Sequence, residues 1–177
     1  MKEKVFFSRE EMFRMNKERL LERGVEIKRI AEIAYHQQSR YNDNITMEAC
    51  IESVEKILSL RDIFHIVQLA IEIDRLTEEG AFRAPIQDIM KNDMGMFGVD
   101  EIFGLAIASN YGVIGQTNFG DIDVNKPGLV NELNDEGKQA NRCHTFLDDV
   151  VGAIAAAAST RVAQIISEEE ARKHIEK

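Results

Sequence analysis

The sequence predicts an all-α fold, a single compact multi-helix domain with a buried small-residue central helix. The chain has 177 residues, the size of one domain, and 44% of them are hydrophobic, as is typical of globular proteins. It contains two prolines and no tryptophan, and its β-branched runs are short. Residues 150–158 (Val-Val-Gly-Ala-Ile-Ala-Ala-Ala-Ala) are apolar and rich in small side chains, so another helix can pack closely against them.

Helix signals follow one another along the first half of the chain. Ser8 and Glu11 have the spacing of a capping box, and Thr46 is a suitable N-cap for a later helix. Pro85 suits the first turn of a short helix. Apolar residues at helical spacing fill the segments between these signals. The predicted helices cover about residues 9–24, 27–38, 46–58, 62–79 and 86–91.

The second half of the chain has a different composition, since eight of the 11 glycines lie between residues 95 and 137. We expect a connection there that makes tight turns and brings backbone close to a ligand. Within it, residues 99–110 are predicted to form a short buried helix. A final helix is predicted from near Thr145 to about Ser167, followed by a charged tail.

Charge and cysteine content exclude several classes of function. The net charge is −9, and residues 1–24 carry +2, which leaves −11 on the rest of the chain. Such a balance disfavours nucleic acid as a partner, because phosphate backbones are bound by basic surfaces. Two cysteines, Cys50 and Cys143, and no signal peptide predict reduced thiols and a cytoplasmic location. Residues 150–158 are too short to span a bilayer, which takes about 20 residues.

Two adjacent acidic pairs, Asp100–Glu101 and Asp148–Asp149, stand at the starts of predicted helices. If these helices cross near the pairs, three or four carboxylates converge and must take up protons or bind a cation. Oxygen ligands suit a hard divalent ion such as Mg²⁺, whereas no cysteine and histidine spacing typical of zinc is present. His144 lies four residues before Asp148 and would share its helix face.

A simpler interpretation of both pairs is helix capping. Residues 145–148 (Thr-Phe-Leu-Asp) fit a capping box, and acidic residues in a first turn stabilise the helix dipole. On spacing alone, capping is favoured over metal binding. Residues 123–128 (Asp-Val-Asn-Lys-Pro-Gly) likewise have the composition of an ordinary turn. However, a lysine beside a metal-bound carboxylate cluster could hold a phosphate.

Three segments together resemble the phosphatidylglycerophosphatase A family. They are residues 99–102 (Val-Asp-Glu-Ile), 123–127 (Asp-Val-Asn-Lys-Pro) and 144–149 (His-Thr-Phe-Leu-Asp-Asp). Residues 111–115 and 117–120 are similar to the soluble Gram-positive branch known as low-temperature-requirement C proteins. The resemblance covers most of the chain and is weakest over about the first 20 residues. It divides the chain into an N-terminal helical arm, residues 1–24, and a family-like helical domain, residues 25–177.

The resemblance implies Mg²⁺-dependent hydrolysis of phosphatidylglycerophosphate, or of a related phosphomonoester, to the alcohol and phosphate. It also implies peripheral contact with the inner face of a membrane, and the short helices and apolar arm lead us to expect a homo-oligomer. Its residue roles are carried over by position. The metal ligands would be Asp100, Glu101, Asp123, Asp148 and Asp149; Asp149, Asp148 and His144 would be catalytic; Lys126 and Asn118 would bind the substrate.

The chain departs from the family pattern in two places. It lacks the Pro-Gly-Thr-x-Gly-Ser motif of the membrane-bound enzymes, and Leu129 stands where they have a second proline. A non-catalytic helical protein of stress adaptation, which keeps the acidic site only structurally, is therefore the alternative. The N-terminal arm, with Phe6, Phe7, Met12 and Phe13, is a candidate membrane contact, although packing on the body or on another subunit is the simpler interpretation.

Overall fold

The computed structural model describes residues 4–92, 94–139 and 141–175 as helices joined by short connections. No β-strand occurs among those residues, so the predicted all-α fold is confirmed. A 3-10 turn at Ser109–Tyr111 separates the sixth and seventh α-helices. The α-helices are α1 (Arg9–Glu22), α2 (Ile27–Gln38), α3 (Met47–Leu58), α4 (Arg61–Glu78), α5 (Ile86–Lys91), α6 (Glu101–Ala108), α7 (Gly112–Asn125), α8 (Leu129–Gly137) and α9 (Leu147–Ile175).

The first half of α9 is the centre of the fold, as the alanine-rich sequence predicts. Every residue from 146 to 160 is buried, and α2, α3, α4, α6, α7 and α8 pack around this segment. The small side chains allow these helices to approach closely. The helix continues to Ile175, beyond the predicted end near Ser167, and its last turns are exposed.

Helix α9 is also the one described helix with the length and composition of a membrane span. However, 67% of its apolar window is buried inside the protein. The core helix of a soluble protein passes the same test, so α9 is weak evidence for a span.

The glycine-rich region contains two helices, α7 and α8, where the sequence predicted a turn-rich connection. Glycine disfavours helix, but burial of Phe119 and Ile122 from α7 and of Leu133 from α8 outweighs that preference. The prediction of a buried helix over residues 99–110 was correct for position and for one face, since Gly104, Ile107 and Ala108 of α6 are buried, but the other face is exposed. Ile102 and Leu105 of α6 are 57% and 42% exposed.

Gly104 in α6 allows α6 to pack against α7. A Cβ at this position would lie 2.3 Å from Cζ of Phe119, a buried ring that also reaches Gly152 of α9. We expect Gly104→Ala to lower the free energy of unfolding by about 1–3 kcal/mol, because the added methyl group forces the buried ring to shift.

Urea unfolding tests this prediction against a matched control, Gly120→Ala in α7. No atom lies within 4 Å of a Cβ built at Gly120, so this change should be neutral or stabilise by up to about 1 kcal/mol. Equal effects of the two substitutions would contradict the packing described.

Candidate active site

The start of α9 is capped by Asp74 from the last third of α4. Its carboxylate accepts hydrogen bonds from the Phe146 amide (3.2 Å) and the Leu147 amide (3.0 Å), and Asp74 is fully buried. These amides would otherwise lack partners at a buried helix end. The sequence predicted a local capping box from Thr145, but the cap for these two amides comes from a residue more than 70 positions away. It holds Asp148 and Asp149 in the first turn of α9.

The acidic pair at the start of α6 faces the start of α9. One carboxylate oxygen from each of Asp100, Glu101 and Asp149 lies within 4.8 Å of the others. Asp100 occupies the N-cap position of α6 but makes no capping hydrogen bond with its side chain. Asp100 Oδ1 and Glu101 Oε2 are buried without a hydrogen-bond partner. The capping interpretation therefore fails for Asp100, and two oxygens are left available to a ligand.

The end of α7 adds an acid and a cation to the same cleft. Lys126 ends the helix in a left-handed conformation, and its Nζ lies 3.3 Å from Asp148 Oδ2 and 3.4 Å from Asp123 Oδ1. The cleft has a volume of about 100 Å³. Its walls are formed by Asp100, Glu101, Asp123, Lys126, Asn134, Gly137, His144, Thr145, Asp148 and Asp149.

The pKa values of two acids in the cleft, Asp149 and Glu101, are raised. Burial, followed by repulsion from Asp148 and Asp123, raises the pKa of Asp149 to about 9. The neighbouring Asp100 carboxyl, followed by burial, raises the pKa of Glu101 to about 7. Burial lowers the pKa of Lys126, but Asp148 and Asp123 outweigh burial, so the pKa is raised overall and the amine is charged. Ionising all the acids together thus requires additional positive charge.

His144 lies on the wall of the cleft and is 3% exposed. Its Nδ1 is 3.3 Å from Nη2 of Arg23, and its Nε2 is 3.4 Å from Oε2 of Glu136. Burial, followed by the charge of Arg23, lowers the pKa of His144, which favours the neutral ring. No sequence pattern pointed to Arg23 or Glu136, because they reach His144 from the end of α1 and from α8.

The structure does not bring Asn118 to this cleft. Its side-chain amide donates to Thr160 Oγ1 (2.9 Å), and its backbone carbonyl accepts from Gln37 (3.1 Å). Thr160 lies 12 residues after Asp148 in α9, or about 18 Å along the helix. Asn118 therefore belongs to a partly buried polar contact between α2, α7 and α9. The other predicted site residues all lie around the acidic cleft.

Comparison with known proteins decides the family. The family model for phosphatidylglycerophosphatase A matches residues 34–164, which include all the acidic residues of the cleft. The chain belongs to the phosphatidylglycerophosphatase A family.

Several relatives of this family member come from Bacillus and Listeria. The chain is 43% identical to the uncharacterized protein YutG of Bacillus subtilis over 145 residues, which covers 82% of this chain and 86% of YutG. The low temperature requirement C protein of Listeria monocytogenes superposes with a TM-score of 0.84 at 41% identity, covering 88% and 97% of the two chains. Protein ypjQ of B. subtilis gives a TM-score of 0.85 at 40% identity, covering 92% and 99%.

Proposed function

We propose that this family member is a Mg²⁺-dependent phosphomonoester hydrolase of the phosphatidylglycerophosphatase type. The observation that carries the proposal is the meeting of Asp100, Glu101 and Asp149, whose ligand atoms lie within 4.8 Å of one another. A site this acidic repels a phosphate unless a cation reverses the local field. Lys126 alone cannot balance five carboxylates.

The donor set fits Mg²⁺. The residues supply only carboxylate oxygens, the ligands that hard divalent ions prefer, and Asp100 Oδ1 and Glu101 Oε2 are buried and lack other partners. Asp100, Glu101 and Asp149 would hold the ion, with Asp123 and Asp148 completing the acidic wall. Bound Mg²⁺ would stabilise negative charge on the phosphoryl group and lower the pKa of a water molecule.

The remaining residues have chemistry that suits phosphate-ester hydrolysis. The charged Nζ of Lys126 sits between Asp123 and Asp148 and can donate to a phosphate oxygen. A carboxylate of the Asp148–Asp149 pair would take the proton of the attacking water as the P–O ester bond breaks. His144, with its neutral ring, would donate a hydrogen bond at the wall of the cleft.

A lipid substrate would have to reach the cleft from a membrane surface. Phe97 is fully exposed and Val99 and Ile102 are at least half exposed, directly beside Asp100 and Glu101 in sequence. We propose these residues as the membrane contact because they adjoin the acidic pair of the cleft. The N-terminal arm exposes Phe6 (79%) but buries Met12 (1%), so only part of the predicted contact in the arm is accessible. The expected homo-oligomer stays a prediction.

A panel of lipid and water-soluble phosphomonoesters, assayed with Mg²⁺ for phosphate release, tests the function. We expect release from at least one member and loss of release with a chelator. Stabilisation of the fold by Mg²⁺ without release from any member would favour the alternative, a binding protein that keeps the acidic site structurally.

Binding of Mg²⁺ should strengthen as pH rises from 6 to 9. In the metal-free protein Asp149, with a pKa of about 9, and in part Glu101 hold protons at pH 7, and ligands must lose them. Affinity should rise up to roughly tenfold per pH unit for each proton released. Calorimetric titration in buffers of different ionisation enthalpy measures both affinity and proton release.

The metal-free protein should show the opposite pH dependence in its stability. The pKa of Asp149 is raised above its usual value of 3.8, so the folded state holds a proton that the unfolded chain has lost. Stability should therefore fall as pH rises from about 4 to about 9.

For the prediction on Mg²⁺ binding, equal Mg²⁺ affinity at pH 6 and pH 8 would contradict the site described.

A further inference from the structure

The side chain of Arg23 reaches from the end of α1 to the wall of the acidic cleft. It is 7% exposed, and it forms a two-bond ion pair with Glu78 of α4 at 2.9 and 2.7 Å. The same guanidinium donates to the carbonyl oxygen of Cys143 (2.7 Å) and lies 3.3 Å from Nδ1 of His144. Residue 23 is outside the residues 34–164 that the family model matches. Helix α1 thus adds to the site a group that the family model does not include.

The contact with Arg23 bears on which ring nitrogen of His144 carries the proton. Both hydrogens of Nη2 are directed to Glu78 Oε1 and to the carbonyl oxygen of Cys143, each at 2.7 Å, so Nδ1 at 3.3 Å shares one of them at most. A guanidinium has only donors and a positive charge, so it favours a lone pair over an N–H at Nδ1. A neutral imidazole with a lone pair at Nδ1 carries its hydrogen on Nε2. Nε2 is buried and lies 3.4 Å from Glu136 Oε2.

The charged groups that face His144 come from three helices. They are Arg23 from α1, Glu78 from α4 and Glu136 from α8. Glu78 is held by its bonds to Arg23 and to the Cys143 amide (2.9 Å), so it fixes the guanidinium in place. Glu136 is on the exposed side of the ring, with a side chain that is 51% exposed. Arg23 is therefore the buried charge that orients the ring.

We propose that Arg23 is a positioning residue that holds the ring of His144, at the wall of the acidic cleft, with its proton on Nε2. That proton faces the Glu136 carboxylate, whose Oε2 lies 3.4 Å from Nε2. The effect of Arg23 on hydrolysis rests on the proposed function, whereas the tautomer does not.

Nitrogen-15 NMR of the full-length protein tests the tautomer directly. The chain has four histidines, and the signals of His144 are assigned by their loss in His144→Gln. At pH 7 we expect protonated Nε2 and unprotonated Nδ1 in the unmodified protein and in Arg23→Lys, which keeps a donor. Arg23→Met should shift His144 towards the other tautomer. Arg19→Met is the matched control, because Arg19 is exposed on the same helix and pairs with Glu22.

Kinetics add a readout that a purely structural role would not change. On a phosphomonoester that the protein hydrolyses, Arg23→Met should lower kcat about 10- to 100-fold with little change in KM, and Arg23→Lys should restore part of the loss. A proton on Nδ1 in the unmodified protein would overturn the proposal, as would an unchanged tautomer in folded Arg23→Met. If Arg23→Met does not fold, the His144 tautomer measured in the unmodified protein and in Arg23→Lys still tests the proposal. The expected tautomer without any hydrolysis would support the positioning role and reject the proposed activity.

Discussion

Asp149→Asn should abolish Mg²⁺-dependent phosphate release, with a loss of at least about 1000-fold. The substitution removes one of the three carboxylates that approach within 4.8 Å, and several kcal/mol of charge stabilisation depend on the ion they would share. The substitution should not lower the stability of the folded protein. Asp149 is 5% exposed and its pKa is raised to about 9, so a neutral amide relieves repulsion in the metal-free state. We therefore expect loss of activity together with unchanged or higher thermal stability near pH 8.

Asp135→Asn is the matched control for this experiment. Asp135 lies on α8, outside the residues that form the cleft wall, and its side chain is 63% exposed in an ion pair with Lys138. Activity in Asp135→Asn should stay within about twofold of the unmodified protein, as expected for a surface change. Full activity in Asp149→Asn, or equal losses in both variants, would reject the assignment of the carboxylates.

Asp74→Ala should cost the largest amount of stability of any single substitution considered, about 3 kcal/mol or more. The change leaves the buried amides of Phe146 and Leu147 without partners, at about 1–3 kcal/mol each, and opens a cavity in the core. Asp74→Asn keeps one acceptor oxygen and should lose less. Because the cap holds the first turn of α9, Mg²⁺ affinity should weaken as well.

Urea unfolding with Asp43→Ala as the control measures this effect. Asp43 is an exposed loop residue, and its removal should change the free energy of unfolding by no more than about 0.5 kcal/mol. A loss below about 1 kcal/mol in Asp74→Ala would show that the start of α9 does not depend on this long-range cap.

Local signals account for the parts of the fold that the sequence predicted well. The Ser8 and Glu11 capping box and the Thr46 N-cap both form, because each involves groups within four residues of one another. The two helices in the glycine-rich region were missed for the opposite reason. Their stability comes from burying side chains such as Phe119 against α9, and no local propensity reports that contact.

The candidate site likewise contains residues that the sequence predicted and residues that it did not. Asp100–Glu101 and Asp148–Asp149 are visible as adjacent pairs in the sequence, so their meeting could be proposed in advance. Asp74 and Arg23 act across 72 and 121 residues, and neither stands in a recognisable pattern. Asn118 was predicted to bind the substrate because residues 117–120 resemble the family sequence. Its side chain instead contacts Thr160, a partner that sequence similarity does not indicate.

Anomalous diffraction from crystals soaked in Mn²⁺, a substitute for Mg²⁺ with the same preference for oxygen ligands, tests whether the carboxylates at the starts of α6 and α9 share an ion. We expect a single strong peak, or two close peaks, within bonding distance of Asp100, Glu101 and Asp149, and no such peak in Asp149→Asn. Strong Mn²⁺ peaks at other positions in the crystal, with no peak between the starts of α6 and α9, would contradict the proposed metal site.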